Sequence, residues 1–460
     1  MDKINALKDR KSHLYSISSA VRENINKLTD EKSFVELDAF AFSHNAFYDT
    51  DIYGEGVVTG FSLIDNKPCY VVAINFEILN GGLGQGGCEK IIKCLDKAGV
   101  SGAPVVYLLS SHGVLAGEGV TALEGIARVL AKVNELTDRV PQFAVCSGKL
   151  LGSPSLIAAA CDYKYFINDA CVCYDSPYVV CAKSKVSLDE AKAGGSACAN
   201  GLCDFVVEDF EQVRESITKI LNILPNYSQA VIDEDDLNRT APNLNQKACA
   251  KCLLEAVYDK NSFVTLNKGY ATEAVTSIGR VGGHAVATII FDGEDGVELT
   301  NENVDKVTSF IYYATDNNLP IITFVNTLGI KADLQTAASP IMKNVTSLIY
   351  ALSYGNQVPR INVVYGKAIG LGYTLFATKA HGVDYSIAFA NALISPVSDS
   401  VGAEMHFAEV GGNKEDLKNK FREEDMDAMN TAKKACLDNV IEPAHVRQHV
   451  IAALQMLTGC

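Results

Sequence analysis

Residues 140–159 read VPQFAVCSGKLLGSPSLIAA, and residues 358–377 read VPRINVVYGKAIGLGYTLFA. Val140, Pro141, Val145, Gly148, Lys149, Gly152 and Ala159 return as Val358, Pro359, Val363, Gly366, Lys367, Gly370 and Ala377, each pair 218 positions apart. A constant offset over so many positions marks duplication. A period above about 200 residues means repeated domains rather than stacked solenoid units.

Working outward, other segments pair at slightly different offsets, as insertions and deletions require. Asp30 to Leu37 (DEKSFVEL) is echoed by Asp259 to Leu266 (DKNSFVTL). Pro104 to Leu109, leading to Gly113-Val114, is echoed by Pro320 to Val325, leading to Gly329-Ile330; Asp204 to Glu208 has a looser counterpart in Asp438 to Glu442. The expectation is a first domain over residues 1–230, a polar linker over 231–246 and a second domain over 247–460. The acidic run Asp233 to Asp236 reads as a solvated part of that linker.

Each half alternates short β-branched or aromatic runs with amphipathic helical patterns. The strands expected in the first half are Cys69 to Ile74, Pro104 to Leu109 and Gln142 to Cys146, with helices at Glu89 to Ala98 and Leu123 to Leu136. In the second half they are Ala285 to Phe291, Ile321 to Val325 and Ile361 to Tyr365, with helices near Asn303 to Asp316 and Ser339 to Tyr354. Near-continuous apolar strands separated by helices predict an α/β fold whose sheets are covered on both faces.

With 48% hydrophobic and 21% charged residues the composition is that of a globular protein, and a net charge of −15 argues against nucleic acid as the main ligand. No apolar run reaches the length of a membrane span, and Met1 to Asn5 begins no signal-peptide core, so a cytoplasmic location is expected. The 14 cysteines show no regular spacing and read as reduced thiols. Cys249-Ala-Lys-Cys252 lacks a second ligand pair and reads as part of an ordinary helix. His445 and His449, four apart, lack a third ligand and read as a solvated helix face.

Glycine-rich turns follow the strands in both halves: Ser110-Ser111-His112-Gly113-Val114 and Gly148 to Ser153, then Asn326 to Ile330 and Gly366 to Gly372. Two such turns side by side present backbone N–H donors to a developing oxyanion. The alternative is that the glycines only permit tight turns and close packing. Lys149 and Lys367 recur in the repeat as candidate contacts for phosphate or carboxylate, against a surface role. His112 stands in the first turn.

These segments resemble the carboxyltransferase subunits of biotin-dependent acyl-CoA carboxylases and decarboxylases, of the propionyl-CoA and methylmalonyl-CoA type. Ser33 to Asp38 is similar to the family's SFxEL element, Gly54 to Phe61 to GDGVVTGY, and Gly81-Gly82-Leu83 with Glu89-Lys90-Ile91 to GGS and AEKI. Gly102 to Val120 resembles GAPVIGLNDSGGARIQEGV, and Asp438 to Pro443 resembles DDVIEP. The likeness covers most of the chain and identifies a divergent member, shortened after about Gly402.

The resemblance implies two tandem crotonase-like domains, each a ββα-superhelix, with one oxyanion hole apiece. It implies Gly113, Val114, Gly152 and Ser153 as catalytic on the thioester side, and Gly329, Ile330, Leu371 and Gly372 on the biotin side. Gly370, Tyr373, Thr374 and Lys149 are implied in cofactor and substrate binding, and no metal is expected. The implied substrate is a coenzyme A thioester, and the implied cofactor is biotin borne on a separate carrier protein. A separate biotin carboxylase or membrane decarboxylase subunit is the further partner, and the chain forms a dimer or hexamer.

Three segments depart from the family. DSGGAR has become Ser110 to Leu115, CAGGAAY has Ser153-Pro154 after Gly152, and YGGAY has Leu371 after Gly370. They leave open a non-catalytic paralogue that stabilises such a complex. A hydratase or isomerase would need paired acids, for which Glu118 stands alone.

Overall fold

A computed structural model describes residues 2–190, 200–228, 235–354, 357–406 and 413–459. The chain divides into two compact units, Met1–Ile220 and Leu221–Cys460. The linker expected at 231–246 lies in the second of them, with 231–234 outside the described residues.

In the first unit the strands are β1 (Val35–Leu37), β2 (Phe42–Asn45), β3 (Thr50–Tyr53), β4 (Val57–Ile64), β5 (Lys67–Ile74), β6 (Val105–Ser111), β7 (Gln142–Leu151), β8 (Tyr163–Cys173) and β9 (Phe205–Val207). β2 and β3 form a separate hairpin, and the others make a seven-stranded sheet in the order β1-β4-β5-β6-β7-β8-β9. β1, β4 and β5 run antiparallel; from β5 to β9 every pairing is parallel.

The second unit carries β10 (Val264–Leu266), β11 (Ala274–Val281), β12 (His284–Phe291), β13 (Val297–Leu299), β14 (Ile321–Ile330), β15 (Arg360–Ile369), β16 (Tyr385–Phe389), β17 (Leu393–Ser395) and β18 (Asn439–Ile441). Its main path, β10-β11-β12-β14-β15-β16-β18, repeats the first sheet strand for strand, with β13 and β17 added beside β14 and β15. Each unit thus begins as an antiparallel hairpin and winds on through parallel crossovers.

The helices form where the apolar spacing requires. Gln85–Ser101 buries Cys88, Ile91, Cys94, Leu95 and Ala98, the i, i+3, i+4, i+7 face, and ends at Gly102 in the left-handed conformation (φ 69). Val120–Glu135 turns Ala122, Ile126, Val129 and Val133 inward, and Asn301–Asp316 and Ile341–Tyr354 are the counterparts in the second unit.

The repeated sequence words have repeated structural duties. Asp30 accepts from the amides of Asp65 and Asn66 at the tip of the β4–β5 hairpin, at 3.0 and 2.8 Å, and pairs with Arg214 at 2.6 Å. Asp259 does the same for Gly282 and Gly283 at the β11–β12 tip, at 2.8 and 2.9 Å, and pairs with Arg447 at 2.6 Å. Asp204 and Asp438 likewise each cap a strand start, accepting from Lys164 N and Ser386 N at 2.9 and 2.8 Å.

Several expectations need correction. Asp235 is not solvated: it is 8% exposed, pairs with Arg239 at 3.1 Å and accepts from Lys260 N at 3.1 Å. Cys249 is not inside a helix but caps Ala250–Val257, its sulfur accepting from Cys252 N at 3.3 Å. His445 precedes the terminal helix Val446–Thr458, and both it and His449 are half-buried rather than solvated. Among the described residues no helix is long and apolar enough to cross a membrane, and no cysteine is in a disulfide.

Candidate functional site

β7 and β15 extend past the strands expected from sequence. Gly148 is a bulge inside β7 (φ 92), where the pairing with β8 shifts register, so the strand runs on to Leu151 and the sharp turn falls at Gly152 (φ 66). β15 likewise runs to Ile369 and turns at Gly370 (φ 51).

In the first unit the turn after β6 is held by Ser111, whose fully buried hydroxyl accepts from Gly113 N at 3.0 Å and donates to Gly81 O at 2.7 Å. His112 N donates to Asn80 O at 3.0 Å and Leu115 N to Leu83 O at 2.9 Å. Among the described residues Val114 N–H alone in this turn has no partner in the protein.

The turn after β7 lies against it. A Cβ built on Gly152 would stand 3.9 Å from Gly113 Cα. Gly152 N donates to Cys173 O at 3.0 Å and Pro154 has no N–H, which leaves Ser153 N–H unengaged among the described residues. Two neighbouring turns therefore each offer one backbone donor.

The second unit repeats the device. Thr327, also fully buried, accepts from Gly329 N at 3.1 Å and donates to Val297 O at 2.8 Å. Gly370 N donates to Ser395 O at 3.0 Å, as Gly152 does to Cys173. Lys331 N donates to Leu299 O at 3.0 Å, so the preceding N–H, that of Ile330, faces away from β13. A Cβ built on Gly329 would meet Leu371 N at 3.5 Å and Gly372 N at 3.4 Å. Those two residues open a turn that continues as the single π-turn Tyr373–Ala377, where the first N–H groups have no intrahelical partner.

The glycine replacements fall where no positive φ is required. Gly152 and Gly370, which need positive φ, are retained, and Val114, Ser153, Ile330 and Leu371 are absent from the residues with positive φ.

Beside the first turn lies a cleft of about 500 Å³ lined by Asn24, Phe76, Leu108, Ser110, His112 and Lys149, among others. His112 meets Phe76 edge to face at 5.1 Å. Lys149 is exposed and in no ion pair among the described residues. In the second unit Lys367 N is held by Asn326 Oδ1 at 2.9 Å. Thr374 is exposed, its hydroxyl on Gly370 O at 3.3 Å, while burial and the neighbouring Cys436 push the Tyr373 hydroxyl up to about 12. Glu118 is occupied elsewhere: its carboxylate accepts from Gln85 N at 2.7 Å, capping the helix Gln85–Ser101. Sequence reading did not single out Ser111 or Thr327; the signal available was a hydroxyl residue two places before the glycine in both halves.

Each unit thus carries backbone donors in two neighbouring turns at the ends of parallel strands, an arrangement suited to an oxyanion. Residues 18–459 match the family described as the carboxyl transferase domain, and the chain belongs to that family, a carboxyltransferase by class. Relatives include the carboxyltransferase subunit of propionyl-CoA carboxylase from Haloferax mediterranei, 28% identical with 95% of this chain and 90% of the relative covered. The methylmalonyl-CoA decarboxylase α subunit of Veillonella parvula is also 28% identical, over the same shares. The solved structure of the transcarboxylase 12S hexamer superposes with a TM-score of 0.91 at 22% identity, covering 99% of this chain and 96% of that one. The fold is therefore the tandem crotonase-like fold that the sequence resemblance implied.

Proposed function

We propose that the protein transfers a carboxyl group between an acyl-CoA of the malonyl or methylmalonyl kind and biotin held on a carrier protein. The observation that carries this reading is the pair of unengaged amides, Val114 and Ser153, in adjoining turns beside the cleft, with the same construction at Ile330, Leu371 and Gly372.

In this reading the donors of Val114 and Ser153 stabilise the thioester enolate. Gly113 and Gly152, whose own N–H groups are engaged, shape the turns that aim those donors. Ile330, Leu371 and Gly372 serve the ureido oxygen of biotin, with Gly329 and Gly370 as the shaping glycines. Fixed amides suit both tasks because they need no reorganisation as charge develops. When bound, biotin supplies the nitrogen that gives up or takes the carboxyl group. Lys149 and His112 are placed along the cleft for the CoA moiety, and Tyr373 and Thr374 border the biotin side.

In this reading the protein works as a homo-oligomer, a dimer or a hexamer. The non-catalytic reading drew on the altered glycines, and the unstrained backbone at Ser153 and Leu371 removes that support. A hydratase lacks its acid pair, since Glu118 caps a helix. The buried reduced thiols suit a cytoplasmic enzyme.

The test mixes the purified protein with biotin or a biotinyl carrier and a panel of malonyl-, methylmalonyl- and glutaconyl-CoA, and follows the decarboxylated ester by mass spectrometry. Biotin-dependent turnover of one ester is expected. A folded, dimeric protein that turns over none of them would sink the proposal.

A further inference from the structure

Cys171 and Cys173 sit one residue apart on β8 and so face the same side of the sheet, with their sulfurs 3.5 Å apart. They are 8% and 7% exposed and pack on Leu151, the last residue of β7. Leu151 pairs in register with Cys173, whose carbonyl accepts from Gly152 N at 3.0 Å. Cys173 also lines a second cleft, of about 570 Å³, with Ser155, Leu156, Tyr174 and Val180. A small reagent therefore reaches Cys173, with the sulfur of Cys171 3.5 Å from its own, beside the Gly152–Ser153 turn.

We infer that this pair is a binding site for a thiophilic centre that bridges two sulfurs through one atom, and that filling it displaces the Gly152–Ser153 turn. The consequence for catalysis rests on the function proposed above; the binding does not. A soft atom about 2.3 Å from each sulfur would subtend about 100° across the observed gap, which suits the pyramidal geometry of trivalent arsenic. Disulfide formation fits less well. It would draw the sulfurs to about 2.05 Å across residues of an extended strand, near the long limit of disulfide spans. Burial also pushes the Cys173 thiol up to about 12, which starves thiol–disulfide exchange of its thiolate.

An organoarsenous acid needs no thiolate in its product. Two As–O bonds break, two As–S bonds form, and the thiol protons leave with the hydroxyls as two waters. No electron is transferred and no net charge enters the largely buried site.

The probe is phenylarsine oxide, titrated into the reduced full-length protein after the reductant is removed, with intact mass and peptide mapping as readout. A single adduct is expected on the peptide carrying residues 171–173, stable to excess monothiol and removed by 2,3-dimercaptopropanol. Cys171→Ser and Cys173→Ser should each lose it, and Cys171→Ala and Cys173→Ala repeat the test with a smaller apolar side chain. The double variant Cys249→Ser with Cys252→Ser should keep it. Deuterium exchange at the Gly152 amide should rise about tenfold or more in the adduct. An adduct that maps elsewhere, survives Cys171→Ser, or fails to form on the wild type overturns the site, and unchanged exchange at Gly152 overturns the coupling. Failure of carboxyl transfer in the untreated protein would overturn the functional reading and leave the mass result intact.

Discussion

Replacing Thr327 by valine is the sharpest single perturbation of the proposed site, because it deletes a hydroxyl at nearly constant shape. That hydroxyl lies 3.1 Å from Gly329 N and 2.8 Å from Val297 O, and Thr327, Gly329 and Val297 are all buried. The valine variant leaves a donor and an acceptor unpaired where water does not enter. Each such group costs about 1–3 kcal/mol, so a loss of roughly 2–6 kcal/mol is expected in denaturant unfolding. The catalytic effect follows from slack in the turn. Gly329 N is no longer pinned, and the nearby donors of Ile330, Leu371 and Gly372 lose their fixed aim. Complete loss of one oxyanion donor lowers kcat by about 100- to 1,000-fold, and a loosened one should cost roughly 10- to 100-fold. KM for the CoA ester should stay within about twofold, since Thr327 would touch no part of it. Thr327→Ser keeps the hydroxyl and should restore kcat to within about threefold of wild type. Steady-state carboxyl transfer on the two variants, at a temperature where both are folded, decides the matter. A valine variant that loses stability but keeps kcat would show the hydroxyl to be structural only, and the reasoning would be wrong.

Lys149→Ala removes the exposed cation of the first cleft; KM for the CoA ester should rise roughly tenfold with kcat little changed, the signature of lost ground-state binding. Arg447→Met leaves Asp259 and Asp235 without the guanidinium that lies 2.6 and 3.6 Å from them, and should cost about 3–5 kcal/mol in urea unfolding. Burial pushes the Cys146 thiol up to about 12. Between about pH 9 and 12 the native protein therefore holds a proton that the unfolded chain has lost, and this group removes stability as pH rises. Cys146→Ala should lessen the alkaline slope of unfolding free energy by up to about 1.4 kcal/mol per pH unit, and an unchanged slope would show that Cys146 does not contribute.

Much of the fold was legible because its determinants are local or periodic. The helix Gln85–Ser101 follows from its apolar spacing and from Gly102, and the strands of both sheets follow from short apolar runs between turn residues. The strand ends were less legible. The bulge at Gly148 lets β7 continue to Leu151, because β8 supplies hydrogen-bond partners beyond Ser147. Asp235 looked solvated because its neighbours in sequence are polar, yet besides the nearby Arg239 it meets Lys260 and Arg447 from elsewhere in the chain.

By itself the sequence determined the duplication, the alternation of strands and helices, and the places where glycine and proline make sharp turns, since each depends on residue identity and spacing. Tertiary structure decided which amide in each turn is free. Gly152 N–H is taken by the carbonyl of Cys173 and Gly370 N–H by that of Ser395, residues more than 20 positions away in sequence. The same folding set two thiols 3.5 Å apart beside the Gly152–Ser153 turn. A hydrogen bond is a property of two groups brought together, and local spacing does not specify the partner that the folded sheet supplies.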